Sequence, residues 1–246
     1  MKCIFLCAGY ATRLFPLTEN FPKALIKVAE KPILDYILDE VNKIKEIDQI
    51  YLVTNAKYTP HFETWANEKN NIKPIKVLND GTYTNDDRLG GIGDINFVIE
   101  NEKIDDDTMV IAGDNLFEFS LEKYVDFYNE KKAPCVCVRK EEDIELLKRV
   151  GVAKIDENLK IVDFTEKPPV PQSDLAVYAT YIYPKSVLKL FKMYLDEGNS
   201  CDAPGNFITY LHKKEDTYTF IFEEQCYDVG THESLKMVND IYNNRR

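Results

Sequence analysis

A few residues of this 246-residue chain have side chains suited to one kind of chemistry. Ala8-Gly9-Tyr10-Ala11-Thr12-Arg13 places a glycine and an arginine in a turn directly after the apolar stretch Ile4-Phe5-Leu6, and Lys23 closes the loop that follows. Far along the chain stand Asp114 in Ala112-Gly113-Asp114-Asn115, Lys167 in Thr165-Glu166-Lys167-Pro168, and Asp228 in Asp228-Val229-Gly230-Thr231. Backbone N–H groups and cations hold phosphate, and one or two carboxylates with phosphate oxygens hold magnesium. Lys23 and Arg13 would neutralise a triphosphate, and Asp114 and Asp228 would hold its metal. Each feature has an ordinary explanation: glycine and aspartate form turns after strands, threonine caps helices, and a lysine before proline is usually solvated. Their joint occurrence is what points to a nucleoside triphosphate.

The elements that must position these groups alternate. Residues 2–7, 48–55, 74–80 and 107–114 read as buried strands. Between them lie a helix opened by Pro32 with the apolar face Leu34, Ile37, Leu38, Val41 and Ile44, a helix capped by Thr59 with Pro60 as its first residue, and a helix near 92–102. Ser120 caps the next helix, and residues 133–140, 151–168 (two strands), 175–184 and 217–229 read as further strands. A helix over 185–197 stops at Gly198, and Thr231 caps a terminal helix. The pattern predicts one domain over 1–246, a Rossmann-like three-layer α/β/α sandwich with a mixed, mostly parallel central sheet. Its strand-rich second half would form a mixed extension, and ligands would sit beyond the carboxyl ends of the strands. Residues 199–215 are candidate interface material, although Tyr210 and Leu211 within them suit the core.

Composition narrows the partners. A net charge of −11, with no basic run beyond Arg245-Arg246, argues against nucleic acid and anionic membranes. The six cysteines form no CxxC pair, and His61, His212 and His232 are scattered, so spacing supports buried reduced thiols and no zinc site. The apolar run after Met1 is too short for a signal peptide and nothing is long enough to span a bilayer, so the expected location is the cytoplasm.

Taken together the chain resembles the sugar-1-phosphate nucleotidyltransferase family, particularly its glucose-1-phosphate thymidylyltransferase-like branch. The family signature AxGxGTRLxPLTxxxPKxLxPVxxKP is met by Ala8-Gly9-Tyr10-Ala11-Thr12-Arg13-Leu14-Phe15-Pro16-Leu17-Thr18, Pro22-Lys23-Ala24-Leu25 and Lys31-Pro32. Leu89-Gly90-Gly91, Gly113-Asp114-Asn115, Val150-Gly151-Val152, Glu166-Lys167-Pro168 and Asp228-Val229-Gly230-Thr231 follow in family order, so the likeness covers about residues 2–235. It implies the nucleotide-diphospho-sugar transferase fold and an Mg²⁺-dependent transfer of NMP from an NTP to a sugar 1-phosphate, with thymidylyl or uridylyl transfer to glucose 1-phosphate as the leading case. It also implies roles. Ala8, Gly9, Tyr10, Ala11, Thr12 and Arg13 would wrap the triphosphate, with Lys23 near its α-phosphate. Asp80 and Leu89-Gly90-Gly91 would lie on the nucleotide side, the glycines letting backbone approach the base. Gly151, Glu166 and Lys167 would receive the sugar phosphate, Asp114 and Asp228 would bind Mg²⁺, and relatives usually form homo-oligomers.

Three departures stand out. Ala11 replaces the second glycine of the loop and is expected to be harmless if the backbone there keeps a negative φ. Tyr10 beside it would either cover the nucleotide or simply shield the loop. Val150 stands where many relatives have tyrosine and Ala179 where they have glycine, which leaves the acceptor open. Cytidylyl transfer to a phosphorylated non-sugar such as phosphocholine is one alternative, and a non-catalytic nucleotide-sensing paralogue is another. A dinucleotide-binding oxidoreductase fits poorly, because AGYATR lacks the GxGxxG spacing.

Overall fold

The computed structural model describes residues 1–69 and 73–245, so Arg246 of the terminal basic pair lies outside it. Strand β1 (Lys2–Leu6) is apolar throughout its centre because both its faces are covered: Cys3 and Phe5 pack on one side, Ile4 on the other. Single 3₁₀ turns at Thr12–Leu14 and Lys23–Leu25 shape the next loop. A short hairpin of β2 (Lys27–Val28) and β3 (Lys31–Pro32) then leads into α1 (Ile33–Lys43). Pro32 ends the hairpin just ahead of α1, and Ile33, Leu34, Ile37, Leu38 and Val41 form the buried stripe expected from three- and four-residue spacing.

β4 (Gln49–Thr54), α2 (Thr59–Glu68), β5 (Ile75–Asn79), α3 (Gly90–Glu102) and β6 (Thr108–Ala112) continue the alternation. Thr59 is the first residue of α2, not its cap: its hydroxyl donates back to Asn55 O at 2.9 Å, occupied by the turn before the helix. α3 starts at Gly90, two residues ahead of the helix expected near 92–102, and so takes in Gly90 and Gly91. Next come β7 (Asn115–Phe117), α4 (Leu121–Lys131), β8 (Cys135–Lys140), α5 (Ile144–Leu147) and β9 (Gly151–Ile155). Ser120 caps α4 as expected, its side chain accepting from Lys123 N–H. The chain closes with β10 (Ile161–Glu166), β11 (Leu175–Tyr183), α6 (Lys185–Asp196), α7 (Pro204–Leu211), β12 (Tyr218–Ile221), β13 (Cys226–Asp228) and α8 (His232–Asn243).

Among the described residues, nine strands form one mixed sheet. β5, β4, β1 and β6 are parallel neighbours, and β11 runs antiparallel against β6, β8 and β9. β10 pairs antiparallel with β9, and β12 lies parallel to β8. One apolar layer joins the sheet to α1, α2 and α4 through residues such as Ile37, Phe62 and Tyr124. The other joins it to α3, α6 and α7 through Ile95, Phe191 and Phe207. The architecture is therefore the three-layer α/β/α arrangement with a mixed sheet.

The stretch 217–229 is not one strand. Exposed Glu223, Glu224 and Gln225 break its alternation, so β12 stays in the main sheet while β13 leaves it to pair with β7 in a two-stranded ribbon. Leu116 and Val229 anchor that ribbon in a third apolar cluster with Val28, Ile33 and Val238 of α8. Within α7, Leu211 is fully buried and Tyr210 half-buried. All six cysteines are free, four of them buried, while Cys201 is exposed. No helix among the described residues is long and apolar enough to cross a membrane.

Candidate active site

The parallel register sets the rim. Leu6 at the end of β1 lies opposite Ala112 at the end of β6, and Gly113 N–H donates to Leu6 O at 3.0 Å. A Cβ on Gly113 would fall 2.3 Å from Cys7 Sγ, so only glycine lets the two strand exits lie this close. Asp114 follows at once. The start of the loop is tied to β4 on the other side: Cys7 N–H donates to Val53 O, and Asn55 Nδ2 donates to Ala8 O at 2.8 Å.

Within the loop, Gly9 is exposed and has open space around its Cα. Ala11 corrects an expectation: its φ is +45° and its ψ 45°, the left-handed region rather than a negative φ. The conformation is held because Ala11 O accepts from the Thr18 hydroxyl at 2.8 Å and from Leu14 N–H at 3.0 Å, while Tyr58 OH fixes Thr18 O at 2.6 Å. Tyr10 is buried, its ring 6.0 Å from that of Tyr58, and so shields the loop. Thr12 and Arg13 open the 3₁₀ turn that carries the guanidinium toward the rim.

Lys23 is the centre of the site. Its side chain is 8% exposed, and Nζ donates to Asp114 Oδ2 at 2.9 Å and to Asp228 Oδ1 at 3.1 Å. Burial alone pushes the ammonium pKa down; the two carboxylates more than offset it, and the net shift is upward. Asp228 arrives through the ribbon, where it pairs with Asn115, the residue after Asp114. A Cβ on Gly230 would lie 3.0 and 3.2 Å from the Asp228 carboxylate oxygens and 3.1 Å from Arg13 Nη2. The bare Cα of Gly230 thus leaves room beside it for both side chains. A cavity of about 120 Å³ is bounded by Gly9, Ala11, Arg13, Lys23, Asp114 and Gly230.

The donor set suits a magnesium ion. Among the described residues no three His, Cys, Asp or Glu side chains gather into a ready-made metal cage. Two converging carboxylates are what magnesium usually takes from protein, the remainder being water and phosphate oxygens. The buried Lys23 ammonium, bonded to both, already marks a cation position between them.

The other expected groups are placed as follows. Glu166 pairs with Gly151 across β9 and β10, and added Cβ atoms would stand 3.0 Å from Glu166 Oε2 at Gly151 and 1.9 Å at Gly205. Its carboxylate therefore sits between two bare Cα atoms; burial pushes its pKa up, with Lys167 pulling the other way. Lys167 is exposed at φ +50°, its Nζ 3.9 Å from Glu166. Gly90 and Gly91 do permit a close backbone approach, but what approaches is the chain's own segment: their Cβ atoms would fall 2.5 Å from Cys201 O and 2.9 Å from Pro204 Cγ. Leu89 precedes them at the start of α3. Asp80, at the end of β5, turns onto Thr82 N–H at 2.7 Å and lies against buried Asp94; neither borders the Lys23 cavity.

A nucleotidyl transferase family model matches residues 2–245. The chain belongs to the nucleotidyl transferase family. It is 32% identical over 192 residues to the bifunctional protein GlmU of Methanocaldococcus jannaschii, covering 78% of this chain and 42% of that protein. It is 29% identical over 219 residues to a UTP–glucose-1-phosphate uridylyltransferase of Synechocystis, covering 86% and 55%. The chain thus spans about half the length of the curated relatives it matches. A UDP-glucose pyrophosphorylase solved with UDP-glucose superposes at a TM-score of 0.83 and 21% identity, covering 100% of this chain and 99% of that one. A putative glucose-1-phosphate thymidylyltransferase of Bacillus anthracis does so at 0.80 and 23%, covering 99% and 96%. At these identities the two structures establish the fold.

Several residues that shape the site were not singled out from sequence. Gly113 and Gly230 lay inside quoted motifs, and their adjacency to Asp114 and Asp228 was the available signal. Thr18 closed the quoted loop signature, whereas Gly205 and Asn55 carried no signal, because their partners are distant in sequence or belong to the backbone.

Proposed function

We propose that the chain transfers NMP from an NTP to a sugar 1-phosphate, releasing pyrophosphate, with glucose 1-phosphate and dTTP or UTP as the leading substrates. The convergence of Asp114 and Asp228 on Lys23, beside Arg13 and the Gly9 loop, carries this reading. Names of relatives that act on sugar 1-phosphates support the acceptor class.

An oxygen of the acceptor's phosphate attacks the α-phosphorus, the bond from that phosphorus to the bridging oxygen breaks, and pyrophosphate leaves. A phosphate monoester has its second pKa near ~6, so the nucleophile is already largely ionised at neutral pH and needs no general base. What the side chains supply is alignment and neutralisation. Arg13 holds the leaving phosphates, Lys23 the α-phosphate, Lys167 the acceptor phosphate, and Glu166 accepts from sugar hydroxyls. Asp114 and Asp228 would hold Mg²⁺, which when bound supplies further charge neutralisation at the phosphate oxygens.

The test is a pyrophosphate-release screen pairing each NTP with sugar 1-phosphates and phosphorylated alcohols in the presence of Mg²⁺. Turnover confined to CTP with phosphocholine, or none at all from folded protein, overturns the assignment. The same reading places the enzyme in the cytoplasm as a homo-oligomer, which fractionation and light scattering check.

A further inference from the structure

Arg13 and Gly230 border not only the small cavity around Lys23 but also a second one of about 850 Å³. Among the described residues, four cations line this larger space, Arg13, Lys148, Arg149 and Lys167, against the one carboxylate of Asp228. In a chain with 42 acidic and 31 basic residues that local balance is inverted. Arg13 and Lys167 already have tasks; Lys148 and Arg149 do not.

Both project from the link between α5 and β9, whose last residue Val150 accepts from Lys167 N–H at 3.0 Å. That bond ties the link to Lys167. Arg149 Nε donates to Glu145 O at 2.9 Å, which braces the side chain while its two terminal nitrogens have no acceptor among the described residues. Lys148 Nζ instead meets Glu145 Oε1 at 2.7 Å, a well-exposed carboxylate. Arg149 is therefore the uncommitted cation of the pair, and its planar fork offers two parallel N–H groups, the geometry that suits a phosphate.

We propose that Arg149, with Lys148 beside it, is a second cation for the phosphate of the acceptor, working alongside Lys167. This rests on the transfer reaction proposed above. The same chemistry could serve the terminal phosphates of the NTP, so the experiment separates the two sources. Inorganic phosphate is titrated calorimetrically into the full chain held in saturating pyrophosphate, for wild type, Arg149→Ala and Arg149→Lys. Arg149→Ala should bind phosphate roughly ten- to hundredfold more weakly, and Arg149→Lys should recover part of the loss. With glucose 1-phosphate as acceptor, the KM for that substrate should rise by a similar factor while the KM for the NTP and inhibition by pyrophosphate stay unchanged. Unaltered phosphate affinity in Arg149→Ala, or an effect confined to the NTP and pyrophosphate, overturns the proposal. If wild type turns over no sugar phosphate, the transfer reading falls, and the phosphate titration still decides the role of Arg149.

Discussion

Asp114 and Asp228 bond one ammonium, that of Lys23, although they leave different sheets. Asp114 follows β6 of the main sheet, and Asp228 ends β13 of the ribbon, opposite Asn115. The two carboxylates would repel each other at this separation without a cation between them. Lys23 fills that role in the structure, and because its ammonium is buried, losing either partner leaves a poorly hydrated charge short of compensation.

Replacing Asp114 by alanine should therefore lower kcat/KM by roughly 10²–10⁴, about 3–5 kcal/mol of transition-state stabilisation. Pyrophosphate release under saturating Mg²⁺ measures it. Near-normal turnover would remove Asp114 from the mechanism.

Chelation offers a separate check on the same pair. EDTA should abolish turnover and added Mg²⁺ should restore it, since two carboxylates alone leave most of a metal's ligands to water and phosphate. Full activity after exhaustive chelation contradicts the magnesium assignment.

Ala11 occupies the left-handed region, where an L side chain costs roughly 1–2 kcal/mol. Ala11→Gly should relieve that cost, offset by about 0.4–1 kcal/mol of extra unfolded-chain entropy, and leave stability unchanged or slightly raised. Ala11→Val should destabilise. Urea midpoints read both, and a clear loss of stability in Ala11→Gly would show that the loop needs the methyl.

At Gly205 a methyl would have to occupy the position of Glu166 Oε2. Gly205→Ala should cost roughly 1–3 kcal/mol in stability through overpacking. It should also raise the KM for the sugar phosphate by pushing Glu166 aside, with the NTP affected less. Equal effects on both substrates would detach Glu166 from the acceptor.

Asp94 is 5% exposed, and burial together with Asp80 pushes its carboxyl up to about 8. An acid whose folded pKa is raised binds its proton more readily in the folded state than in the unfolded one. Its contribution to stability is thus greatest below pH ~4, falls as pH rises toward 8, and is level above that. Asp94→Asn should flatten the decline in Tm between pH 5 and 8 and make the protein more stable than wild type at pH 8. A parallel pH profile for the two proteins would show that Asp94 ionises freely.

Much of this molecule was legible residue by residue. The stripe of α1, the Ser120 and Thr231 caps and the doubly buried run of β1 follow from periodicity and hydrogen-bond chemistry acting over a few positions. The loop from Ala8 to Lys23 and the two aspartates were identifiable for the same reason: their residue types carry the chemistry wherever the chain takes them. The split of 217–229 into two strands, the left-handed Ala11 and the nesting of Glu166 against Gly205 were not. Each depends on groups far away in sequence. The meeting of Lys23 with Asp228 needs Leu116 and Val229 to bury themselves with Val28, Ile33 and Val238, so that β13 leaves the main sheet and lies against β7. Local composition decided which side chains could hold phosphate and metal; only packing across the whole chain decided that they would share one ammonium.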